Sequence, residues 1–187
     1  MTQEEVVARV LDALVQAGLA HMDSGSFASN LHGVPRMTQD ADVVVDADVA
    51  GIIRLVRLLE QDFYVSEDAA RDAARSRRMF NAIHLETGFK VDLILTKNRA
   101  FSSEELRRRE SGALAGRPVD FATAEDTILT KLEWARMGDS DRQYGDAKGI
   151  IQVQGARLDW SYLETWADEL GVRDLLDRAR RAEPFRA

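Results

Sequence analysis

Two carboxylates open a run of β-branched residues in DADVVVD, where Asp40 and Asp42 precede Val43, Val44 and Val45. Such a run favours an extended strand that packs on a half-buried surface. Successive side chains of a strand point to opposite faces, so Asp40 and Asp42 share one face. A third acid, Asp92, interrupts the apolar run KVDLIL, which reads as a buried strand. An acid inside a buried strand is costly unless something pairs with it. Hard divalent cations such as Mg²⁺ or Mn²⁺ take oxygen ligands, commonly one or two carboxylates plus the phosphates of a substrate. The three acids are therefore candidates for one metal-binding cleft.

Fourteen residues before Asp40 lies Ser26, preceded by Gly25. The pair reads as a turn into a short helical segment, Phe27 to His32, with Gly33 suited to a left-handed C-terminal cap and Pro35 just beyond. A glycine permits close backbone approach to a phosphate, the Ser26 hydroxyl adds a donor, and helix N-termini attract anions. Triphosphate and metals are thus expected to meet between the turn and the strand. Asp23, just before the turn, either adds a carboxylate near the metals or lies at an exposed strand end. The second reading follows from the usual solvation of lone acids.

At Gly25-Ser26, Asp40-x-Asp42 and Asp92 the chain resembles the nucleotidyltransferase superfamily, whose signature is a Gly-Ser or Gly-Gly turn, an Asp-x-Asp strand and a later strand acid. The string R-x-T-x-D-x-D, formed by Arg36, Thr38, Asp40 and Asp42, is similar to the branch that includes AbiEii-type toxins. The likeness extends into TAEDTILTKLEWARMGDSDRQYGDAKGII, where that branch carries a helix lysine and a later aspartate, here Lys131 and Asp146. One departure is the segment Met22-Asp23-Ser24, which is usually apolar in the family.

The resemblance implies an α/β (α+β) fold: a nucleotidyltransferase-like core of a small mixed sheet flanked by helices over residues 1–121, and a helical part over 122–187 packed on it. It implies transfer of a nucleoside monophosphate from a nucleoside triphosphate to an acceptor hydroxyl. Asp40, Asp42 and Asp92 would be the catalytic metal ligands, with Asp92 also drawing the proton from the acceptor. Gly25, Ser26, Arg36, Lys131 and Asp146 would meet the nucleotide, and Lys131 would count among the catalytic residues. The toxin-like branch puts tRNA or another RNA first as acceptor and an antitoxin protein as a possible partner. A non-catalytic nucleotide- or partner-binding module and a small-molecule nucleotidyltransferase are the alternatives. On the residues alone, Lys131 also reads as a solvated helix lysine, and Asp146 as the partner of Arg142 at i,i+4 spacing. For Arg36 and Thr38, a phosphate or acid-delivering role and a plain loop role are equally open.

The 187 residues suffice for a sizeable core, and 45% hydrophobic with 30% charged residues describes a globular protein. No uncharged apolar stretch is long enough for a membrane helix, and the acidic, amphipathic N-terminus is not a secretory signal. The absence of cysteine excludes disulfides and fits a cytoplasmic setting. A net charge of −7 argues against an extended nucleic-acid surface without excluding a local one. Arg71, Arg75, Arg77 and Arg78 form one basic cluster and Arg107 to Arg109 another. Each reads either as a phosphate contact or as a helix face paired with nearby acids. His21, His32 and His84 have no metal-ligand spacing.

Apolar periodicity predicts helices near Glu4 to Leu19 and from an Asp48 cap to Gln61, and a helix or loop at Glu67 to Ser76. A hairpin follows, Met79 to Leu85 with Phe89 to Leu95, then a helix near Ser103 to Glu110 and an irregular stretch around Pro118 and Phe121. From a capping box at Thr123 onward only helices are expected: to Met137, Asp141 to Gln154, Asp159 to Leu170 and Val172 to Ala182. Trp134, Trp160 and Trp166 are expected to anchor their core.

Overall fold

A computed structural model describes residues 1–38, 40–114 and 116–182. The chain divides into two compact units. The first comprises Met1–Ser26 and Thr38–Ala122, the second Phe27–Met37 and Thr123–Ala187.

The first unit is built on a mixed sheet that has, among the described residues, seven strands: β1 (Ala20–Asp23), β2 (Asp40–Asp46), β3 (Phe63–Tyr64), β4 (Met79–His84), β5 (Lys90–Leu95), β6 (Glu110–Leu114) and β7 (Arg117–Phe121). Their order across the sheet is β3-β4-β5-β2-β1-β7-β6. The pairs β2/β5 and β1/β7 are parallel and the others antiparallel. The helices of this unit are α1 (Gln3–Gln16), α3 (Val49–Leu59), α4 (Glu67–Ser76) and α5 (Ala100–Arg108). Asp48 caps α3 by accepting from the Gly51 N–H at 2.7 Å, as its position predicts.

Alternation along the two central strands sorts their side chains. One face carries Ala41, Val43 and Val45 of β2 with Val91, Leu93 and Leu95 of β5, all at most 1% exposed. Val6, Val10 and Leu14 of α1 and Ile52, Leu55 and Leu59 of α3 are buried as well. The other face is divided. Toward the C-terminal ends of the strands Met22, Val44 and Ala122 form an apolar cluster, against which Ile94 and Leu106 pack. Toward the N-terminal ends the same face carries Asp40, Asp42, Lys90 and Asp92.

Two strand regions escape the sequence pattern. The stretch around Pro118 and Phe121, expected to be irregular, is the β6/β7 hairpin. Gly112 and Pro118 weaken its strand signal, yet both are accommodated. A Cβ on Gly112 would lie 2.9 Å from the Phe121 ring, so that ring fills the place of a side chain. Phe121, not Pro118, makes the register pair with β1. The two-residue β3 is too short to leave any periodicity. The helix or loop at Glu67–Ser76 is a helix, closed by Arg77 in the left-handed conformation (φ 52°).

The second unit contains α6 (Ala124–Gly138), α7 (Asp141–Gln154), a 3-10 turn (Gly155–Arg157), α8 (Trp160–Glu169) and α9 (Arg173–Arg181). The short α2 (Ser26–His32) continues into its first segment. Thr123 caps α6: its hydroxyl oxygen accepts from the Asp126 N–H at 3.1 Å, while its O–H meets the Asp126 carboxylate at 2.8 Å. Two sequence expectations need correction here, those for Gly33 and for the tryptophans. Gly33 does not adopt the left-handed cap. Glycine is needed there because a Cβ would come within 2.8 Å of Ile150 Cγ1 and 3.0 Å of Ser29 O. The left-handed residue after α6 is Asp139 (φ 46°), and Gly138 remains helical. The three tryptophans are only half-buried. The core is formed instead by aliphatics such as Ile128, Leu132, Ile150, Leu163 and Leu176. Trp160 carries the Arg180 guanidinium 4.1 Å above its ring. Among the described residues no helix is long and apolar enough to cross a membrane.

Candidate active site

The parallel register of β2 and β5 pairs Asp42 with Asp92 and Asp40 with Lys90. Register partners share a face, so all three predicted acids lie on the same side of the sheet, at the same strand ends. On β4, Asn81 continues the Asp42–Asp92 row and Ile83 the Asp40–Lys90 row. The three carboxylates do not form a ready-made cage: among the described residues no group of three metal-ligating acids or histidines is already gathered around one point.

Two neighbours that the sequence reading did not single out explain what holds Asp92 there. Lys90 Nζ lies 2.7 Å from Asp92 Oδ2 and 4.0 Å from Asp40 Oδ2. The Asn81 side-chain amide donates to Asp92 Oδ1. An acid only 5% exposed is thereby neutralised and hydrogen-bonded, which is what a buried carboxylate requires. The hydrogen bond to Asp92 raises the Lys90 pKa above the ordinary lysine value against the opposing effect of burial. The charges of Asp92, Asp40 and Asp42 add to the rise. The signal was available in the sequence, because residue i−2 of a strand shares the face of residue i.

Asp40 is fixed by Thr38, whose hydroxyl lies 2.7 Å from the Asp40 carbonyl oxygen and 3.2 Å from Oδ1. Thr38 thus orders the start of the strand that carries both acids. Gly25 lies against Asp42. A Cβ there would come within 2.5 Å of Asp42 Cβ and closer still to its carboxylate, and the Ser24 N–H donates to the Asp42 carbonyl at 3.1 Å. Gly25→Ala must therefore push the turn and the Asp42 backbone apart, because rotating the Asp42 side chain does not move its Cβ. We expect it to lower the melting temperature and to weaken nucleotide binding, measured by thermal melts and by titration with a triphosphate; unchanged affinity would separate the turn from the site.

Asp23 fits neither expectation. It is fully buried, not at an exposed strand end. Its register partner is Val43, which places it on the face opposite Asp42 and away from the three acids.

Within the second unit Arg36, Lys131 and Asp146 come together. Arg36 grips Asp146 through two parallel bonds, Nε to Oδ1 at 2.9 Å and Nη2 to Oδ2 at 2.8 Å. Lys131 Nζ lies 3.4 Å from Asp146 Oδ2 and is only 3% exposed. Asn30 secures the Arg36 backbone, accepting from its N–H at 3.0 Å and donating to its carbonyl at 2.8 Å. The ion-pair partners of Asp146 are thus Arg36 and Lys131, not Arg142, and Lys131 is not a solvated helix lysine. Burial pushes the Asp146 carboxyl up, but hydrogen bonds from Arg36 and the Lys131 charge outweigh it and hold the group below the usual aspartate range. Arg36, Arg142, Gly145, Asp146 and Gly149 line a pocket of this unit.

No model of a known protein family matches the chain, and no curated protein matches it. Solved structures do. The chain is similar to the antibiotic-resistance factor ANT(2'')-Ia in solution, with 16% identity and a TM-score of 0.61 over 94% of this chain and 97% of that one. An antigenic nucleotidyltransferase-like protein from Paracoccidioides brasiliensis has 18% identity and a TM-score of 0.58, over 97% of this chain and 93% of its own. The lincosamide antibiotic adenylyltransferase LnuA, solved with lincomycin bound, has 10% identity and a TM-score of 0.54, over 82% of this chain and 98% of its own. The chain has the nucleotidyltransferase-like fold that its motifs implied.

Proposed function

We propose that this protein is a metal-dependent nucleotidyltransferase that moves a nucleoside monophosphate from a nucleoside triphosphate to an acceptor hydroxyl and releases pyrophosphate. The observation that carries the reading is the β2/β5 register, which brings Asp40, Asp42 and Asp92 to one face at the same strand ends. This donor set, all carboxylate oxygen, fits Mg²⁺ or Mn²⁺, and the glycine pressed against Asp42 leaves the turn free of a side chain at that point. Bound at Asp40, Asp42 and Asp92, the metal would stabilise charge on the attacking and leaving oxygens. Asp92 takes the proton of the acceptor hydroxyl, Asp40 and Asp42 orient the nucleotide, and Gly25 and Ser26 approach its phosphates. In the same reading Arg36 and Lys131 supply positive charge to the nucleotide, and Asp146 holds both cations in place.

Two acceptor classes are considered. The likeness to AbiEii-type toxins supports RNA, with tRNA first and an antitoxin protein as partner. The ion pairs favour a small acceptor. Arg71 bonds Glu67 at 2.5 Å, Arg75 meets Asp72 at 3.6 Å and Arg107 bonds Glu104 at 2.6 Å, so much of the positive charge that RNA would use is already matched. The net charge of −7 also suits a cationic compound. The similar fold of LnuA and ANT(2'')-Ia, the first solved with lincomycin and the second an antibiotic-resistance factor, supports the same choice. We therefore rank a small, cationic, hydroxyl-bearing acceptor above RNA. Incubation with Mg²⁺ and triphosphates labelled at the α-phosphate, with an RNA pool in one arm and small aminated polyols in the other, tests the ranking. Label entering only RNA overturns it. Nucleotide bound with label entering neither acceptor supports a non-catalytic binding module.

A further inference from the structure

Lys90 occupies the position where the charge of the acidic face is balanced. It is the register partner of Asp40, sits two residues before Asp92 on the same face, and contacts both acids. Asp42 and Asp92 face each other directly as like charges on neighbouring strands, an arrangement that destabilises a sheet, and the Lys90 ammonium on Asp92 offsets it. The lysine side chain is 39% exposed, so it can leave this position without opening the core. Its stem is long and flexible, and its ammonium is a compact charge that is readily exchanged for water. By contrast Asn81, the other partner of Asp92, is neutral and does not compete electrostatically with a cation.

We propose that Lys90 is a resident counter-ion of the carboxylate face: its ammonium holds Asp92 in the absence of a divalent cation, must be displaced from Asp92 for the cation to bind, and so sets the metal affinity of the site. This rests on the reading of Asp40, Asp42 and Asp92 as metal ligands. It makes Lys90 a positioning residue, which keeps the acids together at low metal concentration and couples loading of the site to release of one side chain. Once released, the ammonium lies two residues from Asp92 on the face where the triphosphate is proposed to bind.

The test uses the whole protein and Mn²⁺ alone, with no nucleotide, and counts bound ion by electron paramagnetic resonance. Lys90→Met, which keeps the stem and removes the charge, is expected to bind Mn²⁺ about two- to fivefold more tightly than wild type, the scale of a partly exposed ion pair expressed as affinity. Lys90→Arg should stay near wild type. In metal-free buffer Lys90→Met should melt lower than wild type and gain more from added Mn²⁺. Asp42→Asn serves as control and should lose the binding. Equal affinity in wild type and Lys90→Met, with Asp42→Asn still losing the ion, overturns the role of Lys90 while leaving the carboxylate site intact. Equal tightening in the Met and Arg variants also overturns it, because charge would then not be the cause. Binding that ignores Asp42→Asn overturns the carboxylate reading and the proposal together. No binding by any of the proteins at millimolar Mn²⁺ overturns the proposal alone, and the carboxylate reading is then judged by nucleotide transfer.

Discussion

Asp92→Asn is expected to lower nucleotide transfer by about 10²–10⁴-fold, the range lost with a positioned general base, while triphosphate binding changes little. The asparagine still accepts and donates in the row with Asn81, and Lys90 is exposed enough to be solvated when its partner loses charge. Folding should therefore be close to normal. Asp42→Asn should weaken both binding and transfer, because in this account Asp42 holds the nucleotide metal. The contrast is measured by triphosphate titration and by transfer rate on the same preparations. Equal loss of nucleotide affinity in the two variants would contradict the division of roles.

Asp146→Ala is expected to destabilise the protein by about 1–3 kcal/mol, the scale of losing charge-assisted hydrogen bonds in a largely buried cluster. Lys131 loses an anion in a site where it is only 3% exposed, and Arg36 loses both of its parallel bonds. Lys131→Met should cost much less, since Asp146 keeps Arg36. The pH dependence has a defined sign. The folded carboxyl of Asp146 is held below its unfolded value of about 3.9. Its contribution to stability is thus complete above about pH 4 and is lost as the pH falls through the lower, folded value. Asp146→Ala should narrow the stability gap to wild type under acid conditions, measured by thermal melts from neutral to strongly acidic pH. Similar melting temperatures for wild type and Asp146→Ala at neutral pH would contradict this account of the cluster.

What could be read in the sequence follows from which interactions are local. DADVVVD and KVDLIL announce β2 and β5 because β-branched and apolar residues repeat within one strand, and their acids share a face by strict alternation. Capping at Asp48 and Thr123 is equally local, an oxygen meeting an N–H three residues on. The β6/β7 hairpin was hidden because the Phe121 ring covers Gly112 only after the strands pair. Pairing of Arg36 with Asp146 spans 110 residues and leaves no trace in spacing. For Asp23, the register with Val43 decides its face, and no feature of the chain near the turn encodes that register. Lys90 was legible but overlooked: its spacing from Asp92 is the same one that joins Asp40 to Asp42.

The central claim is that carboxylates on one sheet face carry out nucleotidyl transfer. It is tested most directly by following the α-phosphate label of a triphosphate in the presence of Mg²⁺ and a pool of RNA and small hydroxyl-bearing cations, with wild type and Asp92→Asn side by side. The account predicts that wild type moves the label to an acceptor and releases pyrophosphate in equal amount, while Asp92→Asn binds the triphosphate and moves the label about 10²–10⁴-fold more slowly. Transfer by Asp92→Asn at the wild-type rate, or release of single phosphate in place of pyrophosphate, would contradict it.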